Sequence, residues 1–87
     1  MIVKKGLLLK EVAGNYIVVA VGSAVKLLSG AVTLNETGAF LWGNLEKGAE
    51  KEDLVNALLK NYKVDKDTAI KDVNAFIEKL EKANLLA

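Results

Sequence analysis

The sequence predicts an α+β fold, a three-stranded antiparallel sheet followed by a three-helix bundle, and three observations carry that expectation. The charges divide the chain: Met1 to Leu45 holds four Lys and two acids, whereas Glu46 onward holds eight Lys and nine acids, for net +2 and −1. The apolar residues change period with the charges, from short Val/Ile/Leu runs broken by glycine to stripes spaced three and four apart. With 87 residues there is room for one core, so neither half can bury its apolar face without the other.

Leu7 to Val12 and Tyr16 to Val21 read as a hairpin whose loop is Ala13-Gly14-Asn15. Gly22-Ser23 punctuates, Ala24 to Leu28 reads as the third strand, and Ser29-Gly30 turns into a short extended ribbon, Ala31 to Leu34. Three strands cannot close a barrel, so an edge stays open, is covered, or is used. Asn35 is a good N-cap for a helix from Glu36 to about Leu45, with Phe40, Leu41, Trp42 and Leu45 as core. A second helix, Lys51 to Asn61, carries Leu54, Val55, Leu58, Leu59 and Tyr62 on one stripe, but Ala49-Glu50 makes a poor start. Asp65 caps a third, Lys66 to Ala83, burying Ala69, Val73, Phe76, Ile77 and Leu80; Asn84 supplies a left-handed stop before Leu85-Leu86 packs back.

Composition excludes much chemistry. The chain has no Cys, His or Pro, and all 12 basic residues are Lys. Thiol nucleophiles, disulfides and His- or Cys-based metal, haem and iron-sulfur sites are therefore out of reach, and no cofactor is expected. Lack of disulfides and of a signal-peptide pattern points to the cytoplasm. The longest uncharged stretch, Val12 to Val25, is about 14 residues where a membrane span needs about 20.

The remaining motif matches fail on inspection. Asp65-Lys66-Asp67 opens like a calcium loop, but Ile70 stands where that loop requires Gly and Phe76 where it requires an acid. Gly43 to Gly48 has phosphate-loop spacing but continues Ala49-Glu50. Ser23, Ser29, Thr33 and Thr37 have no His to activate them, so no catalytic residue is expected. Lysines of the last two helices alternate with acids. On the third helix Lys66, Lys71, Lys79 and Lys82 face Asp67, Asp72, Glu78 and Glu81, which argues against nucleic acid. One feature calls for a partner: apolar character on the third helix widens through Ile70, Asn74 and Ile77, beside an open sheet edge suited to an added strand.

The run Leu34-Asn35-Glu36-Thr37-Gly38-Ala39-Phe40-Leu41-Trp42, with Tyr16-Ile17-Val18-Val19 and Ser29-Gly30 before it and Gly48, Leu54-Val55, Tyr62-Lys63-Val64-Asp65, Asp72-Val73 and Phe76 to Leu80 after it, resembles the PqqD family. The resemblance spans nearly the whole chain, and the first segment is its most specific part. It implies a winged helix-turn-helix-like domain that binds the leader segment of a ribosomally synthesised precursor peptide as an extra strand between the third strand and third helix, and presents it to a modifying enzyme, often a radical SAM enzyme. Carried onto this sequence, it implies that the peptide pairs with Val25, Lys26, Leu27 and Leu28, over a floor of Ile70, Val73, Asn74 and Ile77. Ala31 to Leu34 is the alternative pairing edge. Leu28-Ser29-Gly30 departs from the family's aromatic-Asn-Gly turn, and Ala20 stands where Pro is frequent. The competing readings are a winged-helix DNA-binding protein and an oligomerising module whose edges pair in a homodimer.

Overall fold

β1 (Leu7–Val12) and β2 (Asn15–Ala20) form an antiparallel hairpin in the computed structural model, which describes residues 1–28 and 32–87. The connection is a two-residue turn rather than the expected three, because Asn15 pairs with Val12 and only Ala13 and Gly14 lie outside the ladder. Both have positive φ, 52° and 81°, as a type I′ turn requires. Alanine is poorly suited to that region, where an L side chain costs about 1 kcal/mol. Ala13→Asn is expected to raise the melting temperature by several degrees, and thermal unfolding followed by circular dichroism checks it.

The expected third strand is replaced. Residues Gly22–Leu27 form a 3-10 helix, so Val25, Lys26 and Leu27 lie on a helical turn, Leu28 just follows it, and none of them is in a strand. The reason lies in spacing and a glycine contact. Gly22 turns off the strand direction at φ 61°, and Ala24 and Leu27, three apart, face inward while Val25 is 58% exposed. Ala24 seats directly on Gly6, where an added Cβ would come within 2.6 Å of the alanine methyl, and the Val21 amide donates to the Gly6 carbonyl at 2.8 Å. The true third strand is the ribbon, β3 (Val32–Leu34), which pairs with β2 to give the order β1-β2-β3. The expected Ser29-Gly30 turn and Ala31 lie outside the described residues.

The hairpin turn also fixes which way β3 presents its main chain. A two-residue turn makes its flanking residues, Val12 and Asn15, a hydrogen-bonded pair, and bonded pairs alternate along an antiparallel ladder. Ile17, opposite Lys10, therefore spends its N–H and C=O on β1, while Tyr16 and Val18 turn theirs toward Leu34 and Val32. Thr33, opposite Ile17, points its N–H and C=O away from the sheet.

Three helices cover the inner sheet face: α1 (Glu36–Leu45), α2 (Lys51–Asn61) and α3 (Lys66–Lys82). Asn35 caps α1 through Oδ1, which accepts from the Gly38 amide at 2.7 Å. α2 is better started than its sequence indicates, since Asp53 reaches back to accept from the Glu50 amide at 2.9 Å. Leu7, Val18, Leu34, Leu41, Trp42, Leu54, Leu58 and the α3 stripe of Ala69, Val73, Phe76, Ile77 and Leu80 are buried together. Phe40 is only half-buried, edge-on to Tyr62 with ring centroids 5.3 Å apart. Asn84 takes φ 59°, and Leu85 returns to the core. The two termini then pair, with the Lys4 amide donating to the Leu85 carbonyl and the Ala87 amide to the Ile2 carbonyl.

Asp65 caps α3 by accepting from the Thr68 amide at 2.7 Å, and that bond holds its carboxyl below the usual range. A depressed folded pKa gives stabilisation that is present above the unfolded pKa and lost as pH falls through the folded value, so the window lies below about pH 4. Asp65→Asn, which caps equally well when neutral, is expected to leave stability at pH 7 nearly unchanged and to flatten its fall in that window, read from urea midpoints against pH.

Candidate functional site

The open side of β3 faces α3 across a cleft of about 550 Å³. Thr33 and Leu34 form one wall; Asn35, Thr37, Gly38 and Leu41 form its end; Asp72, Ala75, Phe76 and Lys79 form the other wall. The segment from Leu34 to Trp42 thus serves both the core and the cleft. Trp42 and Leu41 anchor it at 0% exposure, while its earlier residues turn the chain from strand edge into helix. Gly38 allows the close approach of that turn to α3, because a Cβ there would meet Leu34 at 3.3 Å and Phe76 at 3.6 Å.

The cleft wall on α3 is not the expected one. Asp72, Ala75, Phe76 and Lys79 follow the i, i+3, i+4, i+7 spacing of a helix face. Ile70, Val73, Asn74 and Ile77 follow the same spacing two residues earlier, about 200° round the helix. Val73 and Ile77 are fully buried in the core, and Ile70 and Asn74 are exposed on the flank away from the cleft. Val25, Lys26 and Leu27 lie on the 3-10 helix, and Leu28, although extended, pairs with no strand among the described residues. The alternative edge, Ala31 to Leu34, contains the open strand at Val32–Leu34. The apolar pattern did not point to Asp72, Ala75 and Lys79 as cleft-lining residues because they are polar or small. Their shared helix face with Phe76 was the available signal, readable only with β3 placed beside it.

Chemically the cleft combines three elements. Thr33 supplies an outward N–H and C=O, Ala75 and the edge of Phe76 supply apolar surface, and Asp72 and Lys79 supply opposite charges. The Lys79 ammonium donates to the Thr33 carbonyl oxygen. Among the described residues no group of acids could hold a metal ion, and no helix is long and apolar enough to cross a membrane. An extended chain with one apolar side chain in every two matches this arrangement, since alternate residues of a strand face the same way.

Comparisons with known proteins agree with this architecture. A structure of TbiB1 in complex with the TbiA(beta) leader peptide superposes with a TM-score of 0.77 at 22% identity, covering 99% of this chain and 94% of that one. A lasso peptide synthetase B1 complexed with the leader peptide gives a TM-score of 0.71 at 18% identity, covering 95% and 92%. At those identities they establish a common fold. No curated protein sequence matches. Residues 9–86 match the family model described as Coenzyme PQQ synthesis protein D, and the chain belongs to the PqqD family.

Proposed function

We propose that the protein is a non-catalytic peptide-binding adaptor. It takes the leader segment of a ribosomally synthesised precursor peptide as an added strand on β3, within the cleft against α3, and presents the precursor to a modifying enzyme such as a radical SAM enzyme. The observation that carries this reading is the main chain of Thr33, outside the β-ladder and turned toward a cleft lined by both polar and apolar side chains. Family membership supports it, as do two neighbours of the same fold that were solved as leader-peptide complexes.

The mechanism needs no reactive side chain. Main-chain bonds at Thr33 give affinity that tolerates sequence variation, and contacts with Ala75, the edge of Phe76 and the charged groups of the α3 wall read alternate peptide residues. Ordering a flexible leader offsets part of the contact energy, so affinity near micromolar, about −8 kcal/mol, is expected. Tethering then raises the effective concentration of the precursor's reacting segment at the modifying enzyme, toward the millimolar range.

The test is a titration of ¹⁵N-labelled protein with the leader of a precursor peptide encoded beside its gene. Amide signals of Thr33 and of Asp72 to Lys79 should move together and saturate together. Shifts confined to α2 or to Val25 and Lys26, with Thr33 unmoved, would overturn strand addition on β3.

A further inference from the structure

The Lys79 contact with Thr33 occupies the very oxygen that an added strand would use. Its side chain comes from α3, crosses the mouth of the cleft and donates to the one outward carbonyl that the ladder register leaves at Thr33. A lysine on a strand edge is a familiar guard against unwanted pairing. This one satisfies the edge acceptor without adding a strand.

Its charge, however, is unmatched. Among the described residues the ion pairs are the Met1 amino group with Glu50 and Lys82 with Glu78. Glu78, the acid next to Lys79 in sequence, is thus committed to Lys82 at 2.8 Å. Asp72 shares the cleft wall but lies two helical turns back, about 10 Å along the axis, too far for a direct pair. The ammonium therefore rests on a neutral carbonyl, a weaker partner than a carboxylate.

We infer that Lys79 is a displaceable cap on the β3 edge and, once displaced, the reader of an acidic side chain in the docked strand. This rests on the proposed strand addition and deepens it, by naming a residue class that the peptide carries. Docking replaces the Lys79 bond to Thr33 with a main-chain N–H from the peptide. The freed ammonium stays at the cleft mouth on its flexible stem, where an Asp or Glu of the peptide supplies the pairing it lacks. A strand without an acid there would have to displace the cap and leave the charge unmatched, so the same lysine both admits and discriminates.

Displayed random dodecapeptides selected against the wild-type protein and against Lys79→Glu provide the test, with binders then synthesised and titrated. Binders that shift the Thr33 amide should share an Asp or Glu at one fixed position, and Lys79→Glu should select Lys or Arg there. Replacing the acid by its amide should weaken binding to the wild type by about twofold to fivefold. With Lys79→Met, which keeps the stem but neither caps nor pairs, the order should cross: the amide peptide binds more tightly than to the wild type and the acidic peptide less tightly. Lys79 is exposed, so these variants should give unaltered circular dichroism. Binders that shift Thr33 yet show no acid preference and no crossing would overturn the role of Lys79 and leave strand addition standing. Binders that leave Thr33 unmoved, or a selection yielding none, would overturn both.

Discussion

Thr33→Pro is expected to leave the domain folded and to weaken leader-peptide binding by tenfold to a hundredfold. The hairpin turn fixes the Thr33 N–H on the outer side of β3, so proline removes no bond of the existing ladder. Outward edge positions are where proline is tolerated in sheets, and its preference for an extended preceding residue is met by Val32. What disappears is the donor that an added strand would use. An absent bond of about 1 kcal/mol, together with a peptide carbonyl left unpaired in the cleft, accounts for one to two powers of ten. Thr33→Val keeps the donor and the extended backbone, and should bind within about threefold of the wild type. Calorimetric titration beside far-ultraviolet circular dichroism distinguishes the cases. Full affinity in a folded Thr33→Pro protein would mean that the peptide docks by side chains alone.

Trp42→Ala is expected to cost about 3–5 kcal/mol and to lower the melting temperature by more than about 10 °C. Trp42 heads the fully buried side chains at 0% exposure, packed in the same core as Leu41, Leu45 and Leu80. A domain of 87 residues has a total stability of only about 4–13 kcal/mol, so the loss is a large share of it. Trp42→Phe should cost markedly less than its lost volume implies. The indole N–H is buried with no hydrogen-bond partner among the described residues, and phenylalanine relieves that group of about 1–3 kcal/mol of unpaired burial. Urea unfolding followed by circular dichroism measures both variants. In the wild type the single tryptophan gives a second probe, its emission blue-shifted when folded and moving red on unfolding. A loss for Trp42→Phe as large as its removed side-chain volume implies would show that the orphan N–H has no energetic weight.

The two predictions address different parts of one segment. Leu34 to Trp42 begins as the edge strand, turns over the Asn35 cap, and ends with its aromatic anchor in the core. Its turn and anchor could be read directly from the residues, because a cap and a helical stripe are local patterns. The same holds for the Asp65 cap, the five core residues of α3 and the Asn84 stop, all of which act within one or two turns of chain. The glycine contacts were not legible. Gly6 against Ala24 and Gly38 against Phe76 join residues far apart in sequence, and nothing in the neighbourhood of either glycine announces its partner.

The site shows the same division more sharply. An open edge and an adjoining helix followed from strand count and periodicity, and the absence of Cys and His followed from composition. The edge moved from Val25–Leu28 to Val32–Leu34 because Ala24 and Leu27 face inward three residues apart and Ala24 seats on Gly6, a spacing that a short apolar run does not distinguish from a strand. The cleft wall moved from Ile70 and Asn74 to Asp72, Ala75, Phe76 and Lys79 for a related reason. Hydrophobic periodicity identifies the face of a helix that is buried, but both flanks of that face border it equally, and only the position of β3 selects one. By itself, then, the sequence determined the class of fold, the helix boundaries, the core stripes and the absence of thiol and imidazole side chains. Tertiary structure alone decided which strand is the edge, which flank of α3 meets it, and that Lys79 reaches Thr33 from 46 residues away, because each depends on long-range packing that no local pattern encodes.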